Sequence, residues 1–266
     1  MNFLVLLLAK AFVPLFARIS ITVSHFVIYI FFGTTASAVW LLQFLRKDKL
    51  AEPVKMILKI FFWGMVITVP VFVMEFGAAH AIEAVNFSPF LSSILYWFLA
   101  IALVEEVFKY LLVKGKVLKN HAFDEPTDAM IYMIVGALGF AALENILYLL
   151  PPAEKIFSLN ELFARTVIIS FFRFVGATFL HALCSGLVGY FLALSLRKAK
   201  GGSKLTILGL LIVVLLHGLY NFSIMEIGGS LKFIIPIIIL AGLFLFVTLA
   251  FKKLKKMKSI CLLPKK

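Results

Sequence analysis

The sequence predicts an all-α, polytopic helical membrane protein with about seven to eight transmembrane helices. Of its 266 residues, 63% are hydrophobic and 15% are charged, whereas a typical soluble domain is about 25% charged. The mean hydropathy of +1.08 excludes a disordered chain. The apolar residues form long unbroken runs, unlike the short alternating segments of outer-membrane β-barrels, and therefore indicate a helical bundle.

Seven apolar segments are long enough to cross a bilayer, which requires about 20 residues. Prolines mark several connections between them, at Pro53, Pro89 and Pro151-Pro152. The predicted main spans are 19–45, 54–78, 90–113, 129–150, 166–196, 204–225 and 231–251. Because no soluble domain or internal repeat is visible, we predict that residues 1–266 form a single membrane domain.

The two ends of the chain differ from the predicted spans. Residues 1–18 contain an apolar segment that Lys10 and Pro14 interrupt. This segment is either a short additional span or an amphipathic helix on the membrane surface, and we expect the second. Residues 252–266 form a basic tail.

The distribution of Lys and Arg predicts the orientation. The net charge of +13 comes from 26 Lys and Arg against 13 Asp and Glu. The basic residues are concentrated after the first, third and fifth spans and in the tail, whereas 79–89 and 226–230 contain none. By the positive-inside rule, the basic connections and the C-terminus face the cytoplasm. This pattern predicts contact with anionic lipids and argues against nucleic acid as the partner.

The third span contains the first group of ionisable residues inside the membrane. A charge near the bilayer centre costs at least about 2.5–3.5 kcal/mol, so such residues are functional candidates. Glu105 and Glu106 precede Lys109 by four and three residues, so both carboxylates can pair with its ammonium group. One negative charge remains uncompensated, which suits general acid–base chemistry. A structural ion pair between helices is the alternative.

The next three spans each contribute further polar residues. Glu144 and Asn145 are adjacent in the fourth span, and His181 lies in the fifth. In the sixth span His217 and Asn221 share one helix face, so the amide is placed to hold the imidazole tautomer. Counted from the cytoplasmic ends, Glu105 lies about 12 Å deep and Glu144 and the two histidines about 20 Å deep, which allows them to converge.

Carboxylates and imidazoles in four consecutive spans are groups that activate water, either by direct general-base chemistry or with a bound zinc ion. The candidate zinc ligands are Glu144, His181 and His217. A secondary transporter or proton-coupled channel with a Glu/His relay is the alternative function. Transporters usually contain internal repeats with matched broken helices, and the sequence shows neither.

Other charged residues in the spans are expected to have structural roles. Glu75 and His25 fall near the outer ends of their predicted spans, where we expect a structural role or solvation. Arg173 either pairs with a glutamate or extends outward to water. The acidic cluster at 124–128 is expected to begin the helix of the fourth span.

Four motifs follow one another along the chain. They are Glu105-Glu106-x-x-Lys109, Phe140-x-x-x-Glu144-Asn145, a single His181, and His217-x-x-x-Asn221. Together with the basic connection Arg46-Lys47-Asp48-Lys49, this series resembles the PrsW-type intramembrane proteases, which share a superfamily with the CAAX-type prenyl endopeptidases. The resemblance extends over about residues 36–250.

The resemblance implies peptide-bond hydrolysis within the membrane, with a membrane protein as substrate, for example a single-span regulator. The implied catalytic residues are Glu105, Glu106, Glu144, His181, His217 and Asn221, supported by Lys109 and Asn145. We expect Glu105 to be the general base and Glu106 or Glu144 to assist it, with Lys109 tuning the carboxylates. The histidines would bind a metal or stabilise the oxyanion, and the resemblance leaves both mechanisms open.

Overall fold

A computed structural model describes residues 23–47, 52–150, 159–198 and 201–257 of the chain. The described residues form helices and no strand, which confirms the predicted all-α class. The helices are α1 Val23–Leu45, α2 Val54–Val85, α3 Pro89–Lys116, α4 Pro126–Leu149, α5 Leu159–Val175, α6 Ala177–Leu196, α7 Ser203–Glu226 and α8 Leu231–Leu254. The predictions for residues 1–18, for the side chain of His25 and for residues 258–266 lie outside the described residues.

In the described part of the chain, seven segments are long and apolar enough to cross a membrane, with α5 and α6 together forming one of them. The predicted spans differ most from the helices at two places: α5 begins at Leu159, seven residues before its predicted start, and α2 continues seven residues past residue 78, to Val85. The hydropathy falls there, but the alanine-rich sequence from Ala78 favours helix. The helix ends at Asn86, whose φ of 56° is left-handed. Glu75 is therefore well inside α2, not near its end.

Helix α4 lies at the centre of the bundle. In its apolar stretch 83% of the residues are buried, against 22–39% in the other spans. It packs against α1, α2 and α6, and α6 in turn packs against α7 and α8. Residues on α4 are therefore enclosed by protein on all sides, and a polar group there must find its partners on neighbouring helices.

Glycines allow α2 and α4 to approach until their backbones touch. A Cβ atom on Gly139 would lie 2.0 Å from the carbonyl oxygen of Phe61, and one on Gly64 would lie 2.2 Å from that of Gly136. Close approach at small residues is a common way for transmembrane helices to associate. This contact fixes the position of α4 relative to α2.

The first turn of α4 is stabilised by the predicted acidic cluster. Glu125 is the N-cap residue, and together with Asp128 it forms a capping box. The Asp128 carboxylate accepts hydrogen bonds from the backbone N–H groups of Glu125, at 2.7 Å, and Asp124, at 2.8 Å. The expectation that this cluster begins the helix is confirmed.

Two helices are irregular near the polar residues. Within α3, Leu95–Leu103 form a π-helical segment that ends just before Glu105. Between α5 and α6 the helix is interrupted at Gly176, where a Cβ atom would lie 2.4 Å from the hydroxyl oxygen of Tyr220. The sequence patterns predicted neither irregularity, because both segments are continuously apolar.

We predict that Gly139→Ala destabilises the protein, because the added methyl group meets a backbone carbonyl that cannot rotate away. Overpacking of this kind typically lowers the free energy of unfolding by about 1–3 kcal/mol. Denaturation in detergent micelles measures the change. Gly77→Ala is the matched control, because a Cβ atom there meets nothing within 4 Å. Equal stability of the two variants would contradict the described α2–α4 contact.

Candidate active site

The ionisable residues of α3, α4, α6 and α7 meet in one buried cluster. Lys109 is at its centre, and its Nζ donates hydrogen bonds to Glu105 Oε2 at 2.8 Å and to Glu106 Oε1 at 2.9 Å. The same Nζ lies 2.8 Å from Nδ1 of His181. All four residues are buried. The pairing of both glutamates with Lys109, predicted from their spacing, is therefore present.

The contacts of His181 determine its tautomer. An ammonium group can only donate, so Nδ1 must accept from Lys109 and the ring proton must be on Nε2. Nε2 lies 2.9 Å from Glu144 Oε2, to which it donates. The imidazole is thus neutral, with its N–H held by Glu144 and its lone pair directed toward Lys109.

His217 completes the cluster from α7. Its Nδ1 lies 3.0 Å from Glu106 Oε1, which also accepts from Lys109. A carboxylate paired with Lys109 is an acceptor, so Nδ1 of His217 carries a proton, and in the neutral ring Nε2 offers the lone pair. The two imidazole rings face each other edge to face, 5.2 Å apart at their centroids.

Arg173 is the counter-ion of Glu144. Its Nη2 donates to Glu144 Oε2 at 2.7 Å, and its Nε donates to Asn145 Oδ1. The guanidinium carbon lies 4.0 Å from the centroid of the Tyr148 ring. Of the two roles that the sequence left open for Arg173, the structure shows the ion pair.

Asn145 connects three helices around the cluster. Its Nδ2 donates to the carbonyl oxygen of Gly33 on α1, at 3.2 Å, and to Thr178 Oγ1 on α6, at 3.0 Å. Its Oδ1 is used by Arg173. Asn145 therefore holds the arginine that pairs with Glu144.

The cluster carries one net negative charge when both imidazoles are neutral. The carboxylates of Glu105, Glu106 and Glu144 contribute three negative charges, and Lys109 and Arg173 contribute two positive charges. In addition, Oε2 of Glu106 is buried without a hydrogen-bond partner. A proton or a cation would satisfy both the charge and this oxygen.

Four of these residues could hold a metal ion. Glu105, Glu106, His181 and His217 each offer a donor atom, and the four atoms lie within 4.8 Å of one another. Carboxylate oxygens and imidazole nitrogens are the ligands of catalytic zinc sites.

Comparison with known proteins identifies the family. Residues 52–250 match the profile of the PrsW family intramembrane metalloproteases. The chain belongs to the PrsW family. It is 28% identical to the protease PrsW of Oceanobacillus iheyensis over 206 residues, which cover 77% of this chain and 87% of that protein. It is 29% identical to the protease PrsW of Bacillus subtilis over 210 residues, covering 79% and 85%. No solved structure matches the chain.

Membership of the PrsW family establishes the general function. The chain is an integral multi-pass membrane protein and an intramembrane endopeptidase, and its substrate is a membrane protein. The family resemblance seen in the sequence is confirmed. None of the comparisons supports the alternative of a transporter.

The residues of the cluster also fit a metal ion, which the family's description as metalloproteases implies. The donor types suit zinc, the net charge is negative, and Glu106 Oε2 has a free acceptor position. Glu144, which the sequence suggested as a ligand, is not in the four-donor group. Its Oε2 already accepts from Arg173 and from the N–H of His181. A carboxylate that accepts from one ring nitrogen of a histidine orients the ring so that the other nitrogen can bind a metal.

The structure brings together most of the residues predicted for the site. The predicted catalytic residues Glu105, Glu106, Glu144, His181 and His217 form one hydrogen-bonded cluster with Lys109. Asn221 is one turn beyond His217 and only partly buried, and the hydrogen bonds described above do not include it. The tautomer of His217 is instead set by Glu106.

Glu75 is a buried acidic residue well inside α2. It was expected near the outer end of its span, within reach of water, but it is only 2% exposed, and its Oε1 is buried without a hydrogen-bond partner. It lies two turns beyond Thr68, which contacts the carbonyl oxygen of Phe140, so it is near the level of Glu144. The signal that could have revealed it is the alanine-rich continuation of α2.

We predict that Glu75→Gln leaves the free energy of unfolding within about 1 kcal/mol of wild type. A buried carboxyl group without a paired cation is held neutral by a proton, and glutamine has the same shape without charge. Glu144→Gln is the comparison, because it breaks a buried ion pair and should cost about 3–5 kcal/mol. Denaturation of both variants in detergent tests this. A loss in Glu75→Gln as large as that in Glu144→Gln would mean that Glu75 is ionised.

Proposed function

We propose that this protein cleaves a peptide bond of a membrane-embedded substrate with a water molecule that Glu105 activates. The observation that carries the proposal is the four-donor group, in which two glutamates and two histidines from three helices have donor atoms within 4.8 Å of one another. The site is buried inside a membrane-spanning bundle, so the scissile bond must reach it at membrane depth.

Glu105 is the better general base of the two adjacent glutamates. Its side chain is 4% exposed, whereas that of Glu106 has no exposed surface. Glu105 uses one oxygen to accept from Lys109, and Glu106 bonds both Lys109 and His217. A base must lie within hydrogen-bond distance of the water from which it takes a proton. Glu105 can accept a hydrogen bond from such a water while breaking fewer existing hydrogen bonds than Glu106 would.

The two histidines are better placed as metal ligands than as oxyanion donors. An oxyanion donor needs a free N–H group, but the N–H of His181 is held by Glu144 and that of His217 by Glu106. Each ring therefore offers a lone pair. We propose Glu106, His181 and His217 as the protein ligands of a zinc ion. When bound, zinc would lower the pKa of a water molecule and polarise the scissile carbonyl group.

The chain's own residues can account for the proton movements. Glu105 takes a proton from water as the water oxygen bonds to the carbonyl carbon of the peptide. When the C–N bond breaks, Glu105 returns this proton to the nitrogen of the leaving amine. Glu144 and Arg173 keep His181 in its tautomer throughout, and Lys109 holds the Glu105 carboxylate in position.

The substrate class that we propose is a single-span membrane protein with a regulatory role. A single helix can approach the bundle from the lipid and unwind locally to present its backbone at the depth of Glu105. We also propose that the C-terminus is cytoplasmic, because the Lys- and Arg-rich connections lie at the same side of the membrane as the tail. These connections would contact anionic lipids.

Glu105→Gln is expected to reduce the rate of cleavage by about 10²–10⁴-fold, because it keeps the shape of the side chain but removes the base. Cleavage of a single-span substrate by purified protein in liposomes measures the effect. Glu83→Gln is the control, since Glu83 is an exposed glutamate at the far end of α2. Full activity of a folded Glu105→Gln variant would remove Glu105 from the mechanism.

The metal proposal predicts about one zinc ion per active protein and loss of cleavage after strong chelation. Activity should return when zinc is added back, and His217→Ala should reduce the bound zinc. Elemental analysis of the purified protein, with cleavage measured on the same samples, provides the test. Undiminished cleavage by zinc-free protein would contradict the metal proposal and support a glutamate-based mechanism without metal.

The proposed orientation predicts that a reporter fused after Lys266 is on the cytoplasmic side. Green fluorescent protein should fluoresce there, and alkaline phosphatase should be inactive. A fusion in the connection between α7 and α8, after Gly229, should give the opposite pair of results. Phosphatase activity after Lys266 would reverse the proposed topology.

A further inference from the structure

The ammonium group of Lys109 lies at the point where three candidate metal ligands converge. Its Nζ is 2.8 Å from Glu105 Oε2, 2.9 Å from Glu106 Oε1 and 2.8 Å from His181 Nδ1. The three contacts use all three N–H donors of an ammonium group. The group also lies 4.4 Å from the centroid of the Phe140 ring, and Lys109 is 1% exposed.

This arrangement resembles the surroundings of a tetrahedral metal ion. A catalytic zinc ion takes three protein ligands and keeps one position open, and Nζ similarly has three protein partners besides its own Cε atom. The lone pair of His181 cannot bind zinc while it accepts from Lys109. Glu106 Oε1 is likewise engaged by Lys109, which leaves Glu106 Oε2 as the free oxygen of that carboxylate. Zinc and the ammonium group therefore compete for the lone pair of His181 and for the charge of Glu106.

We propose that Lys109 acts as a built-in competitor of the metal ion. It neutralises the carboxylates when no metal is bound, and it withdraws from Glu106 and His181 when zinc binds. Its bond to Glu105 persists, because Glu105 is not among the three proposed ligands. This inference rests on the zinc ligands proposed above. It implies that Lys109 lowers the affinity for zinc while stabilising the metal-free protein.

Charge balance explains both effects. With Lys109, the three carboxylates and two cations leave a net charge of −1 on the cluster. Without Lys109 the net charge becomes −2, which attracts a divalent cation more strongly but leaves two buried carboxylates unpaired in the metal-free protein. A lysine that only positioned the glutamates would act in the opposite direction, since its removal would disorder two of the ligands and weaken zinc binding.

The experiment compares full-length wild type, Lys109→Met and Lys114→Met in detergent micelles. Lys114 is on the same helix and is exposed, so its substitution removes the same charge outside the cluster. Zinc affinity is measured by competition with a chromophoric chelator, and the melting temperature is measured with and without zinc. We expect Lys109→Met to bind zinc at least tenfold more tightly than wild type. It should also melt at a lower temperature without zinc and show a larger zinc-induced rise. Lys114→Met should behave as wild type.

Equal or weaker zinc binding by Lys109→Met would overturn the proposal. If this variant is recovered folded only when zinc is present, the proposal is supported, because zinc then replaces the missing cation. If it fails to fold even with zinc, Lys109→Gln decides by the same affinity measurement, and failure of both variants with zinc overturns the proposal. If wild type cleaves substrate but neither wild type nor variant binds zinc, the competition is excluded while the peptidase function stands.

Discussion

The balance of charge inside the bundle is the constraint on which the rest of the structure depends. The three carboxylates of the cluster are buried at membrane depth, and each would be costly to keep ionised without a partner. Lys109 and Arg173 supply the partners from two different helices. The helices that carry these residues must therefore pack so that both cations reach the carboxylates, and Glu144 lies on the enclosed helix α4.

The sequence contained most of the information about the fold because lipid imposes few alternatives. Long apolar runs separated by prolines predicted the spans, and the i,i+3 and i,i+4 spacing within α3 predicted that Glu105 and Glu106 share Lys109. Helix geometry alone sets such contacts. The predicted end of α2 was wrong because hydropathy falls after residue 78 although the sequence still favours helix. This error placed Glu75 near water.

Contacts between helices were harder to predict, since the sequence does not give the rotation of one helix against the next. The partner of Arg173, the exclusion of Glu144 from the four-donor group and the bond between His217 and Glu106 all depend on such rotations. The π-helical segment of α3 changes the helix face just before Glu105. There Phe98 packs against Gly218, where a Cβ atom would lie 2.5 Å from its ring, beside His217. Irregular turns of this kind occur often at functional sites.

The interruption at Gly176 has a mechanical consequence. Arg173, on α5, and His181, on α6, bond the same oxygen of Glu144, one from each side of the break. Because Glu144 is fixed on the enclosed α4, a change in the angle between α5 and α6 must stretch one of these two bonds or turn the imidazole. A helix that binds to α5 from the lipid and changes this angle would therefore change the position of the His181 ring.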